Sequence, residues 1–184
     1  MSNTTYIALL RGINVGGHNV PMERLRALFG ELGFAEVRSY IQTGNVFFES
    51  SEPDTRTLRT TIEQHLRTTL GYAVPTCLRT VADLDQLLAD DPFVGVQVTP
   101  DIRLAVTFLA ESVAVQLPVP YQTPDGGYEV IGMTPTELFV VWHLQDGRPG
   151  KNYNLLEKQL SVPTTTRFWH TTAKILAAAK AIRS

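Results

Sequence analysis

The stretch EVRSYIQTGNVFFES, Glu36–Ser50, places two runs rich in β-branched and aromatic residues on either side of Thr43-Gly44-Asn45. Glycine beside asparagine accepts the positive φ of a tight turn, so the stretch predicts a β-hairpin. Its first strand alternates Val37, Ser39 and Ile41 against Arg38, Tyr40 and Gln42. Upstream, the short apolar run Tyr6–Leu10 ends at Arg11-Gly12 and reads as a buried strand. The segment VPMERLRALFGELGF then reads as a helix. Pro21 suits its first position, Glu23 its positive end, and Met22, Leu25, Leu28, Phe29 and Leu32 line one face. Gly33 stops it, and Phe34 is placed to pack back over its last turn.

Downstream of the hairpin, Leu58, Ile62, Leu66 and Leu70 recur at four-residue spacing, which predicts a helix over about Pro53–Leu70 closed by Gly71. Ser51 with Asp54 resembles a capping box. AVPTCLRT follows as a strand, and Pro75, which cannot donate a ladder bond, places it at a sheet edge. Strand, helix, strand, strand, helix, strand is the ferredoxin-like split βαβ arrangement. A short helix, VADLDQLLADD with Leu84, Leu87 and Leu88 on one face, leads into PFVGVQVTPD, a stretch with two prolines and little periodicity that reads as a linker.

The second half repeats the theme more loosely. IRLAVTFL is a strand, YEVIGMTPTELFVVWHL a hairpin turning at Thr134-Pro135, and a helix near Asn154–Leu160 precedes a strand near Thr164–Phe168. The Pro-rich LPVPYQTPDGG replaces much of the first helix of this unit. A final Ala-rich helix carries Ile175, Leu176, Ala179 and Ile182 on its apolar face. The expectation is therefore an α+β chain of two ferredoxin-like halves, the second degenerate and followed by a C-terminal helix. Residues 1–91 form the first subdomain, 92–101 the linker and 102–184 the second.

Composition narrows the function classes. With 43% hydrophobic and 18% charged residues the chain falls outside the disordered class. A net charge of -2 argues against a protein whose main task is coating nucleic acid. One cysteine, Cys77, forms no internal disulfide and fits a reducing, cytoplasmic setting. The N-terminus lacks a basic n-region with a long apolar run, and no apolar stretch reaches the about 18 residues of a membrane span.

YIALLRGINVGG, PMERLRALFGELGF, RSYIQTGNVFFES and TRFWHTTAKIL together resemble the uncharacterised bacterial family called domain of unknown function 1697. The resemblance covers nearly the whole chain and implies a two-subdomain α+β fold. It implies no activity, and so no catalytic residue. Two departures stand out. The family's tail pattern, Arg-Asn-Trp-Asn-Thr and then a lysine, is matched at Arg167, Trp169, Thr171 and Lys174, but Phe168 and His170 replace its asparagines. Its Gly-Arg-Ser-Lys-Leu segment is represented by the looser GRPGKN, Gly147–Asn152.

Three stretches carry candidate chemistry. In LRGINVGGHNVPMERL, Gly12, Gly16 and Gly17 with Asn14 offer backbone donors, Arg11 a fixed cationic fork, and the chain then enters a helix N-terminus. This favours an anion, although the spacing matches neither the P-loop nor the dinucleotide fingerprint, and a plain strand-to-helix corner remains the competing reading. GRPGKN sets Arg148 and Lys151 among glycines ahead of a helix. TRFWH gathers Arg167, Trp169 and His170, a group that can stack a ring and neutralise a phosphate or can simply pack. Arg38, Tyr40 and Gln42 are candidates to line a cleft between the halves. The four histidines show no metal-ligand spacing, His65 reads as packed, and no nucleophile elbow exists.

The expected function is binding of a small anionic or phosphate-bearing ligand in the cleft between the halves by Arg11, Gly12, Asn14, Gly16, Gly17, Arg38, Tyr40, Gln42, Lys151, Arg167, Trp169 and Lys174. His170 is the one acid-base candidate, no metal or cofactor is implied, and whether turnover occurs is left open. The alternatives are an interaction module using an exposed sheet face or the Ala-rich helix, and non-specific nucleic-acid binding. Specific RNA recognition is disfavoured because NVFFES lacks the basic-Gly-aromatic pattern.

Overall fold

A computed structural model of the chain describes residues 2–114 and 116–181. The elements run β1 (Thr4–Leu10), α1 (Met22–Glu31), β2 (Ala35–Tyr40), β3 (Asn45–Ser50), α2 (Thr55–Leu70), β4 (Thr76–Thr80) and α3 (Val81–Asp90). They continue β5 (Ile102–Leu109), β6 (Tyr121–Gln122), β7 (Tyr128–Met133), β8 (Glu137–His143), α4 (Asn154–Leu160), β9 (Thr164–Phe168) and α5 (Trp169–Lys180). The described residues are thus mixed α and β, with two antiparallel sheets, five helices and α5 last. Ile182, expected on the apolar face of the last helix, lies outside the described residues.

The chain divides into two compact units, one formed by residues up to Gln86 with those from Lys174 onward, the other by Leu87–Ala173. This differs from the boundaries read in the sequence, because the later part of α5 belongs with the first unit. The expected linker 92–101 is also not free: Phe93 is buried, with its ring against Phe139 and Trp169 in the second unit.

In the first unit the sheet order is β2-β3-β1-β4. Tyr6, Ala8 and Leu10 of β1 and Val46 and Phe48 of β3 pack beneath Leu25, Leu28 and Phe29 of α1 and Leu58, Ile62 and Leu66 of α2. Burying each large side chain of this kind stabilises by about 1.5–3 kcal/mol, so the period-3.6 stripes of the two helices account for their docking. Phe34, just past Gly33, stacks on Phe48 with centroids 4.3 Å apart. The alternate residues Ile7, Leu9, Phe47 and Cys77 are buried as well, so the other face is covered at β1, β3 and β4, while the edge strand β2 has no buried residue.

Two local readings change. Asp54 is itself the N-cap of α2, accepting from the Arg56 amide and the Thr57 hydroxyl, so Ser51 has no part in a capping box. Strand β2 stops at Tyr40 with a bulge near Glu36, and Ile41 and Gln42 belong to the turn, Ile41 with φ 49°. The strand alternation therefore does not carry Gln42 onto the face of Arg38 and Tyr40. Pro75 sits just before the edge strand β4, as its missing donor requires.

The turn itself is fixed by Gly44. Its φ is +81°, its carbonyl accepts from the Leu10 amide at 2.8 Å, and a Cβ there would lie 3.0 Å from Ile13 Cβ and 3.1 Å from Leu10 Cβ. Glycine is needed for both reasons.

In the second unit the order is β6-β7-β8-β5-β9. Without the two-residue β6, which the sequence did not signal, β7-β8-β5-β9 repeats the strand order of the first unit. Val113, Leu117 and Tyr121, from the Pro-rich connection, pack with Leu109, Val130, Leu138, Val140, Leu156 and Leu160, so irregular chain takes the place of the first helix.

Gly44→Ala is expected to destabilise by about 1–3 kcal/mol, the scale of a residue held in an unfavourable backbone region, with added cost from the close contacts. Asp54→Ala should cost about 1 kcal/mol through the lost cap. Urea unfolding checks both, as a lower midpoint at unchanged slope.

Candidate functional site

The loop between β1 and α1 leaves the sheet at Leu10, and its first amide, Arg11, donates to the carbonyl of Pro75. Ile13 is buried beneath it, while Arg11, Val15, Gly16, Gly17 and His18 are exposed. Asn14, with φ 57°, is the strut of the loop: its Nδ2 donates to the Gln42 carbonyl at 2.8 Å and its Oδ1 accepts from the Val20 amide at 2.6 Å. Both ends of that side chain are occupied, so Asn14 shapes the loop and is not available to a ligand. Gln42 contributes the backbone side of the same bond.

Gly12, Gly16 and Gly17 have φ of +76°, +60° and +87°, and a Cβ on any of them would meet nothing within 4 Å. The glycines serve conformation and leave the space above the loop clear. The amides of Gly16 and Gly17 make no hydrogen bond to any described residue. Pro21 precedes α1 as an N-cap residue without a side-chain hydrogen bond, so no cap side chain satisfies the first-turn amides of the helix. The His18 ring stacks on Tyr72, centroids 3.8 Å apart, and ties the loop to the turn after α2. The Tyr72 hydroxyl is buried without a partner among the described residues.

Other expected ligand residues have structural work. Arg38 donates from Nη1 to the Ala178 carbonyl and from Nη2 to the Ala179 carbonyl, each at 2.9 Å, with a longer bond to Ala181. Its guanidinium lies 5.4 Å from the Phe47 ring centroid. A cation on the last carbonyls of α5 complements the negative helix end, so this arginine is a C-cap and not a ligand group. Tyr40 is half-buried, and its carbonyl accepts from Asn45. Lys174, on α5 within the same unit, is exposed.

In the second unit Arg167 is buried, and Nη1 donates to the Thr165 hydroxyl and the Thr166 carbonyl of its own strand. It is turned into the protein, against the expectation that it meets a ligand. Trp169 packs edge-on to Phe93 at 5.2 Å, the packing alternative weighed for that stretch. His170 is exposed, lies parallel to Phe168 at 6.0 Å, and has no hydrogen-bond partner among the described residues. Nothing there orients the imidazole for proton transfer. His65 is not simply packed: its Nε2 meets Glu31, which also binds Arg24. Those contacts, Arg24 first, hold the Glu31 carboxyl below the usual carboxylate range.

Sequence reasoning missed two polar devices. Asp125 latches the GRPGKN loop, accepting from the Thr123 hydroxyl and from the amides of Gly127 and Lys151, while the Tyr128 hydroxyl donates to the Gly150 carbonyl at 2.5 Å. Lys151 is exposed but its backbone is fixed. The Thr123 bond chiefly, with the amides, lowers the Asp125 pKa. The second device is Tyr153, whose buried hydroxyl bonds Thr107 and Thr166 and whose ring packs against those of Tyr128 and Trp142. Burial pushes its pKa up to about 12. The turn sequence TPDGG signalled the first, whereas residues 46 and 13 positions apart gave no signal of the second.

Among the described residues no group of three or more His, Cys, Asp or Glu side chains is placed to hold a metal ion, and no helix is long and apolar enough to cross a membrane. The pattern of the family described as "Protein of unknown function (DUF1697)" matches residues 3–139, and the chain belongs to that family. The solved structure of conserved bacterial protein SP0830 from Streptococcus pneumoniae is similar, with a TM-score of 0.67 and 23% identity over 98% of this chain and 100% of that one. At that identity the likeness concerns the fold alone. No curated protein matches the sequence.

Arg38→Ala should speed hydrogen exchange at the last turn of α5 selectively, because three carbonyl contacts and a ring contact go together. Asp125 has a depressed folded-state pKa, so its contribution is present above the unfolded carboxylate value and lost as pH falls through the lowered one. Melting temperatures across that acid range should fall less steeply for Asp125→Asn than for wild type.

Proposed function

We propose that this family member binds a small anionic, phosphate-bearing ligand at the Arg11–Val20 loop of its first unit. The observation that carries the reading is that the Gly16 and Gly17 amides, without a hydrogen bond to any described residue, lie on the short loop that runs from exposed Arg11 into an α1 N-terminus with no side-chain cap. Magnitudes define what such a site does. The helix end supplies about 0.3–1 kcal/mol, each charge-assisted hydrogen bond from Arg11 about 1.5–3, and each neutral amide bond about 1. These sum to a gross few kcal/mol before the cost of immobilising the ligand, against about 4.1 kcal/mol for a 1 mM dissociation constant. The affinity from this loop alone is therefore millimolar or weaker, and tighter binding requires the ligand to contact more than its phosphate. Exposed Lys174 is a further cation of this unit, whereas this reading leaves out Arg38, Arg167 and Asn14, whose side chains bond carbonyls, a hydroxyl and an amide of the protein.

The reading also takes the first unit as ferredoxin-like, on its strand order, and the protein as cytoplasmic, on a single buried cysteine. A net charge of -2 counts against non-specific nucleic-acid binding. A second reading, protein–protein interaction, is favoured by one observation: Val15 and Ile41, on the joined loop and turn, are 57% and 44% exposed. The burial of Ile7, Leu9 and Phe47 in the first unit's sheet and of Ile175, Leu176 and Ala179 on α5 counts against the forms of that reading that would use those side chains of the sheet or of the Ala-rich helix.

A thermal-shift titration of wild type and Arg11→Ala with inorganic phosphate, nucleotides and sugar phosphates at fixed low salt tests the proposal. A ligand at one hundred times its dissociation constant adds about 2.7 kcal/mol, or about 5–10 °C for a chain of this size. A shift in wild type that disappears in a folded Arg11→Ala supports the site. No shift with any of these ligands, or an equal shift in both proteins, overturns it, and a Val15→Asp variant then tests partner capture.

A further inference from the structure

We draw no further inference here: the strongest candidate, the ring cluster of Trp142, Tyr153, Phe168 and His170 in the second unit with its buried, unpartnered Trp142 indole N–H, carries nothing because the rings pack against one another and nothing in the structure shows what would cover them.

Discussion

The approach of the Gly44 backbone to Leu10 and Ile13 is the contact on which the first unit's loop depends. It joins the end of β1 to the turn between β2 and β3 through the Leu10 amide and the Gly44 carbonyl, at the point where the chain leaves the sheet. Ile13 is held down against that glycine, and Asn14 then reaches across to Gln42 in the same turn. Between that base and Val20, Gly16 and Gly17 are exposed and have positive φ. The loop is thus shaped by a close steric fit at its base and by one doubly bonded amide side chain, not by its own glycines, which only permit the path.

Elements with a strong period were legible in the sequence. The stripes Leu25–Leu28–Phe29 and Leu58–Ile62–Leu66 became buried faces, and the hairpin and the edge position of β4 followed from turn chemistry and Pro75. Ends of elements were less legible, because caps depend on which side chain happens to reach an amide. Asp54 and not Ser51 does so at α2. The helix missing from the second unit was readable as a proline-rich stretch, yet the short strand β6 within it was not, since two residues carry no periodicity.

For the candidate site the residue types were legible and their duties were not. Arg38 and Arg167 are both cations in a suggestive context, but one is consumed by helix carbonyls 140 residues away and the other by its own strand. Arginine's planar fork serves carbonyl oxygens as readily as phosphate, and only the fold decides which it meets. Arg79 of β4 and Arg167 of β9 show the same inward habit: each is buried on the outermost strand of its sheet and donates to the carbonyl of the preceding residue. The two units therefore share a side-chain device as well as a strand order.

The Arg38 clamp on α5 also bears on the order of assembly. The first unit draws its last piece from residues beyond Lys174, so its opening strands and helices emerge during synthesis long before the segment that completes them. Closing a gap of 140 residues costs entropy that grows only as the logarithm of its length, so the final state is little penalised. The kinetic consequence is larger. Until Ala178 and Ala179 arrive, the guanidinium of Arg38 lacks its helix partners, and the N-terminal unit waits on the C-terminal segment for its finished packing.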